Sequence, residues 1–269
     1  MNGSKDLKTI IYFKGVYDTL DLFTDHLIEA FESMGYGTFV YHTANEEVCK
    51  KMLLRLLDES QEFAVVTFNN LGYNLSFEQS EAAEDEEKKP EEHNIWNYFH
   101  IPYIDILMDH PFHYEKPLCN MPETAVILCT DRNHVKYIRR FFKNIHRTDF
   151  LPHAGVELGH KHKPLNDRNI DVLYAGALPI YTVAKMIPDL HSIPEVDGEH
   201  MMQSVLGELV QHPEQTTEQA IEAYVKSVRG DISDERLQEI IVKMRFLDSY
   251  ATSFFREQAV RILVESGIH

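Results

Sequence analysis

Residues 8–70 read KTIIYFKGVYDTLDLFTDHLIEAFESMGYGTFVYHTANEEVCKKMLLRLLDESQEFAVVTFNN, and their pattern decides the fold. The first six (KTIIYF, 8–13) are a β-branched and aromatic run that stops at Lys14-Gly15, as a strand followed by a glycine turn does. Leu20, Phe23, Leu27, Phe31 and Met34 then recur at three- and four-residue steps, the spacing of one helix face, which ends at Gly35 and Gly37. A second strand follows over 38–42 (TFVYH). Val48, Met52, Leu53, Leu56 and Leu57 mark a second helix, and a third strand, 63–68 (FAVVTF), runs out into Asn69-Asn70. Strand–helix–strand–helix–strand with short joints is the pattern of a parallel βαβ sheet.

Downstream the alternation continues. Residues 95–99 read as a helix fragment, 103–108 (YIDILM) as a buried strand ending at Asp109-His110-Pro111, and 125–129 (AVILC) as another, ending at Thr130-Asp131. A helix over 133–142 and a short strand at 149–151 come next, the latter ending at Pro152-His153-Ala154-Gly155. The stretch 156–169 is polar and without period, a candidate linker, and 171–174 (DVLY) reads as a further strand. From about residue 180 the character turns helical. Apolar stripes run through Met202–Val210, Ile221–Val228, Leu237–Leu247 and Phe254–Leu263, and Thr216-x-x-Gln219 is a capping-box signature. Three short joints, at 212–215, 230–234 and 248–252, separate four helices. The expectation is an α/β fold: a Rossmann-like parallel sheet over 1–165, then a second, mostly helical domain over 166–269.

Composition sets limits on function. A chain of 269 residues, 43% hydrophobic, with 12 Gly and 11 Pro is neither collagen-like, wholly disordered nor a disulfide scaffold. A net charge of −17 argues against a general nucleic-acid or anionic-membrane binder, because phosphates would be repelled. A local exception is the basic cluster Lys136, Arg139, Arg140 and Lys143, which fits either a grip on phosphate or an acidic acceptor, or a solvated helix face. Residues 78–92 (EQSEAAEDEEKKPEE) hold eight acids and two lysines and read as a solvated loop. Cys49, Cys119 and Cys129 are odd in number and form no metal-like pair, which predicts reduced thiols in a cytoplasmic protein. Neither a signal peptide nor an integral membrane segment is expected.

In open α/β sheets the ligand crevice lies beyond the carboxyl ends of the strands. Polar residues cluster at those ends: Lys14-Gly15, Asn69-Asn70, Asp109-His110, Asp131, His153 and Gly155. Asp109-His110-Pro111-Phe112-His113 is the sharpest constellation. His110 and His113 beside an acid suit either a divalent metal or acid/base work, and equally a strand-end turn in which Asp109 and His110 cap backbone groups. A metal site needs further ligands, and no second His/Cys pair has matching spacing; His160-x-His162 lies in the candidate linker. Asp131 is placed to N-cap the basic helix, with Asn133 and His134 in its first turn. Lys14-Gly15 has neither the GxGxxG spacing of a dinucleotide fold nor the GK[ST] of a P-loop, and no Gly-x-Ser-x-Gly elbow occurs.

Taken in order, IDILMDHPFHY (104–114), AVILCTDRNHVKYIRRFF (125–142), FLPHAG (150–155) and DVLYAGALP (171–179) resemble bacterial glycosyltransferase-like proteins of the GT-B type, related to spore-maturation glycosyltransferases. The closing FREQAVRILVESGI (255–268) is similar to the helix before that family's next strand. The resemblance implies that this region is the acceptor-side, N-terminal half of a GT-B fold, truncated before the donor-binding domain. It implies a sugar or a glycan or protein acceptor as partner, no cofactor or metal bound by this region, and a nucleotide-sugar donor for the complete enzyme. It makes Gly15, Asn69, His113, Asp131, His134, His153 and Gly155 candidate acceptor-cleft residues. Asp109 and His110 become the candidates for deprotonating, or hydrogen-bonding, an acceptor hydroxyl. The other readings of the residues are a non-catalytic Rossmann-like binding module and a metal-dependent hydrolase at Asp109, His110 and His113.

Overall fold

The computed structural model describes residues 8–58, 62–79, 91–155, 163–170, 172–176, 193–194 and 196–267. The chain divides into two compact units, Met1–His153 and Ala154–His269, a boundary ahead of the 165/166 expected from sequence. In the first unit the strands are β1 (Lys8–Lys14), β2 (Gly37–His42), β3 (Glu62–Phe68), β4 (Ser76–Gln79), β5 (Glu91–Asn94), β6 (Tyr103–Leu107), β7 (Ala125–Cys129) and β8 (Arg147–Phe150). Between them lie α1 (Asp18–Ser33), α2 (Glu46–Leu57), α3 (Ile95–Tyr98), α4 (Glu115–Cys119) and α5 (Arg132–Phe141). Six strands form one sheet in the order β2-β1-β3-β6-β7-β8, every neighbouring pair parallel. The fold is therefore the Rossmann-like α/β sheet that the alternation predicts.

The apolar runs form strands here because both faces are covered. Ile10, Ile11, Tyr12 and Phe13 of β1 are all buried, the signature of a central parallel strand. One face carries Ile10, Tyr12, Val66, Phe68 and Ile106 and is packed by Leu20, Phe23, Leu27 and Phe31 of α1, the stripe read from sequence. Against the other lies Trp96, fully buried, its ring centroid 6.1 Å from those of Phe13 and Tyr103. Each such buried side chain is worth about 1.5–3 kcal/mol of transfer free energy. Trp96 also donates its Nε1–H to Gly72 O at 2.7 Å. Gly72 has φ +78, and a Cβ there would lie 2.1 Å from the Phe13 ring, so only glycine fits this close approach.

Several local readings differ. The strand at the sheet edge is 147–150, not 149–151, and its sequence, RTDF, has no apolar run to reveal it. The acidic stretch is not wholly loop: its ends belong to β4 and β5, which pair antiparallel as a separate ribbon from Ser76↔Asn94 to Gln79↔Glu91. Residues 80–90, between them, lie outside the described residues. The strand expected at 171–174 does not form over its described part, 172–174, which pairs with nothing in a sheet.

The second unit contains α6 (Gly198–Gln211), α7 (Thr217–Arg229), α8 (Asp234–Met244) and α9 (Phe246–Glu265). Met201, Val205, Leu209, Ile221, Val225, Leu237, Ile240 and Leu247 are buried, so the first three apolar stripes are core-facing, whereas the fourth, Phe254–Leu263, has no buried residue. The capping box forms as spelled: Thr216 Oγ1 accepts from Gln219 N at 3.4 Å and Gln219 Oε1 from Thr216 N at 3.2 Å. The joint expected at 248–252 is helical instead, and the break falls at Arg245. The polar residues that suggested a break have helical uses. Asp248 accepts from Thr217 Oγ1 at 2.9 Å, tying α9 to α7, and Ser253 Oγ donates to Ser249 O at 2.7 Å.

Candidate functional site

Strand β1 has β2 on one side and β3 on the other, and β6, β7 and β8 add beyond β3, so the chain order reverses between β1 and β3. A doubly wound sheet opens its crevice at the carboxyl ends of such a pair. The turn after β1 is closed by its own side chains. Gly15, at φ +96, donates its N–H to both carboxylate oxygens of Asp21, at 3.0 and 3.1 Å. Its Cβ position is 2.5 Å from His42 Cε1 and 2.9 Å from Thr43 Oγ1, so no side chain fits. Lys14 Nζ is held by Asp25 at 2.7 and 2.9 Å. With Asp18 and Asp21 in the first turn of α1, the negative carboxylates stand where a phosphate-binding turn keeps free N–H groups and the positive helix end.

The turn after β3 is built differently. Asn69 and Asn70 both adopt left-handed backbone, φ +47 and +65, which Asn tolerates better than other side chains. The Asn69 side chain reaches across to the end of β6: its Oδ1 accepts from Met108 N at 2.9 Å, and its Nδ2 donates to Asp109 Oδ2 at 3.0 Å. The same Asp109 oxygen accepts from Tyr114 Oη at 2.8 Å. Two donors from two segments thus orient the carboxylate, and among the described residues none donates to its other oxygen, Oδ1. Asp109 is exposed at the mouth of the crevice. Burial, then the bond to Asp109, pushes the Tyr114 phenol up, and Tyr17, from the turn after β1, lies near enough to add to it. Tyr17 is itself 57% exposed.

His110, beside Asp109, has another task. Its Nδ1 accepts from Phe112 N at 3.2 Å, capping the 3-10 turn Pro111–Tyr114, and its ring stacks on Phe112 at 3.6 Å. An Nδ1 that accepts puts the proton of the neutral ring on Nε2. His134 meets the His110 ring edge-on at 4.6 Å and Tyr137 does so at 5.0 Å, so the two histidines belong to an aromatic cluster under α5. Asp131 caps α5, its Oδ1 accepting from Asn133 N at 2.6 Å. His113 is exposed, against the edge of Phe112. His153 and Gly155 are exposed beyond β8. The structure therefore joins Asn69 to Asp109, joins His110 to His134, and leaves Gly15, Asp131 and His113 in separate local roles. The basic residues of α5 are occupied too: Arg139 donates to Thr148 O, Lys143 to Arg139 O and Lys136 to Asn133 Oδ1.

Two residues at this edge were not singled out by sequence reasoning. Tyr114 follows Asp109 by five positions, and only the 3-10 turn brings it back. Asp105 had a visible signal, a carboxylate inside an otherwise apolar strand. It is fully buried, Oδ1 accepts from Asn70 N at 2.9 Å, and burial pushes its pKa up to about 7.

Among the described residues no three His, Cys, Asp or Glu side chains converge as a metal-holding group, and no helix is long and apolar enough to cross a membrane. His160 and His162 lie outside the described residues. A cavity of about 380 Å³ at the amino edge of the sheet is lined by Glu123, Thr124, His146 and Arg147 among others. Another, of about 340 Å³, lies between α2 and the β4–β5 ribbon, by Lys50, Lys51 and Phe77. Compared with known protein families, with curated proteins and with solved structures, the chain matches none.

Proposed function

We propose that the Asn69–Asp109–Tyr114 crevice is an acceptor site for a sugar hydroxyl, and that this chain is the acceptor-side part of a GT-B-type glycosyltransferase. The observation that carries the reading is the carboxylate of Asp109, fixed through Oδ2 by Asn69 and Tyr114, with no donor on Oδ1 among the described residues. A carboxylate oxygen held in place accepts a hydrogen bond from an acceptor hydroxyl and, in an inverting transfer, takes its proton as the oxygen attacks the anomeric carbon. The exposed ring of Tyr17 offers the apolar face on which a pyranose stacks. The occupied Gly15 N–H and the acids at the start of α1 make the same crevice unsuited to a nucleotide diphosphate. The donor nucleotide-sugar is accordingly assigned to another domain.

His110 enters this reading as a support for the turn rather than as the base, because its Nδ1 is engaged by the backbone. That engagement also favours the simpler alternative of a sugar-binding module with no chemistry. Saturation-transfer NMR with methyl glucoside, methyl galactoside, methyl mannoside and N-acetylglucosamine tests the common premise. Transfer to at least one of these is expected with the wild-type chain. It is expected to fall at least about tenfold in Asp109→Ala and Asn69→Ala, each losing a charged or positioning hydrogen bond of about 1.5–3 kcal/mol. Equal transfer by Asp109→Ala sinks the site. An Asp109→Asn protein that still binds a sugar but, supplied with its donor domain, transfers none separates the enzyme from the module.

A further inference from the structure

A second carboxylate lies beneath the first. Asp105 sits inside β6, paired with Thr67 of β3 and Ile127 of β7, and is 0% exposed. Its Oδ1 holds the N–H of Asn70 at 2.9 Å. Asn70 is the second of two consecutive left-handed residues, a conformation that persists only when held. The first of the two is Asn69, whose amide bridges Met108 N and Asp109. On the far side of the turn, Leu71 O accepts from Thr67 Oγ1 at 3.1 Å and Tyr103 Oη at 2.8 Å. A single line of bonds therefore runs from Asp105 through Asn70 and Asn69 to the crevice.

We infer that Asp105 is a positioning residue that makes the crevice responsive to pH: neutral, it holds the Asn69–Asn70 turn closed; ionised, it loosens that turn and the grip of Asn69 on Asp109. It touches no ligand. The inference deepens the acceptor-site reading, on which its functional meaning rests, but its geometry stands without it.

The direction follows from the surroundings. Asp105 Oδ2 and both side-chain polar atoms of Asn70 are buried and have no hydrogen-bond partner among the described residues. The closed turn thus offers a charged Asp105 one donor, whereas an opened turn offers water to both oxygens. Burial outweighs the Asn70 bond, which alone would favour the charge. The titratable groups that face Asp105 are Tyr103 on its own strand, Cys129 on β7 and Tyr114 in the turn after β6. The Cys129 thiol is pushed up to about 12, and burial raises both phenols, so none of the three changes charge between pH 5.5 and 9. β3 contributes Thr67 and the Asn69–Asn70 turn, which do not titrate.

The test uses ¹⁵N-labelled full-length chain, wild type and Asp105→Asn, without ligand, over pH 5.5–9, above the range of an ordinary exposed carboxylate. In the wild type the Asn70 backbone amide and the Asn69 side-chain amide are expected to shift together with one midpoint near neutrality. Asp105→Asn keeps the acceptor oxygen and drops the charge, so both resonances should stay at their acid-form positions. At pH 8.5 the Asn70 N–H should exchange with solvent at least about tenfold faster in the wild type than in the variant. An Asn69 amide that stays fixed while Asn70 titrates overturns the inference. So does a response that survives in Asp105→Asn, which would belong to a different group, and so do equal exchange rates. No glycan is present, so failure here is distinct from failure of the acceptor site, which the glycoside experiment reads.

Discussion

Asp109 and Asp105 stand four residues apart, one just beyond a strand and one inside it, and their surroundings give them opposite tasks. Asp109 has two donors on one oxygen and solvent at the other, which suits a group that must meet a hydroxyl. Asp105 has one donor and is fully buried, so the folded protein holds its proton more tightly than the unfolded chain does. The folded value of about 7 lies above the ordinary 3.8. Between those values the native state binds the extra proton, and stability falls as pH rises through that window. The contribution is complete below about pH 4 and lost above about pH 7, on the order of 4 kcal/mol in all. Urea unfolding followed by the fluorescence of Trp96, the one tryptophan of the chain, checks this. Asp105→Asn should gain on the wild type by on the order of 2–3 kcal/mol between pH 5 and pH 8. An identical pH dependence in both proteins would mean that Asp105 is already ionised or solvated in the native state.

At the scale of elements, close approach of neighbouring atoms decides how costly it is to replace a turn glycine. Gly72 and Gly35 both have positive φ, but a Cβ at Gly72 would enter the Phe13 ring, whereas at Gly35 it meets nothing within 4 Å. Gly35→Ala should therefore cost about 1 kcal/mol of backbone strain, and Gly72→Ala at least about 2 kcal/mol more through displacement of Phe13. The two urea midpoints decide it, and equal losses would mean that the Phe13 ring moves aside freely. In the helical unit, Thr216→Ala removes the capping-box acceptor and should cost about 1 kcal/mol. The same scale shows what was legible beforehand. Strands β1, β3, β6 and β7 are buried on both faces, so they read as continuous apolar runs. The edge strand β8 and the ribbon strands β4 and β5 are polar, and their pairing depends on partners that no local pattern reveals. The 248–252 stretch looks like a break because Asp, Ser and Thr favour caps, yet tertiary bonds from Thr217 and back to Ser249 keep it helical. For the site, the polar residues at strand ends were legible from the alternation alone. Which of them meet was not, because Asn69 reaches Asp109 through a left-handed turn and Tyr114 returns through a 3-10 turn.

At the scale of the molecule, the first unit contains the six-stranded sheet, its core and the bonds that orient Asp109. A fragment ending at residue 153 should therefore fold alone, with Trp96 buried as in the full chain. Trp96 emission at the unfolded wavelength in that fragment would show that the sheet depends on the helices. The net charge of −17 is a property of the surface as a whole; the crevice itself is shaped by one oriented carboxylate, an amide and two phenols. The most direct test of that crevice is ¹⁵N chemical-shift mapping during titration with whichever methyl glycoside binds. The shifts are expected at Asn69, Met108, Asp109, Tyr114 and Tyr17, and to vanish in Asp109→Ala. Shifts gathered instead at Thr124, His146 and Arg147, at the opposite edge of the sheet, or in helices α6–α9, would contradict an acceptor site at Asp109.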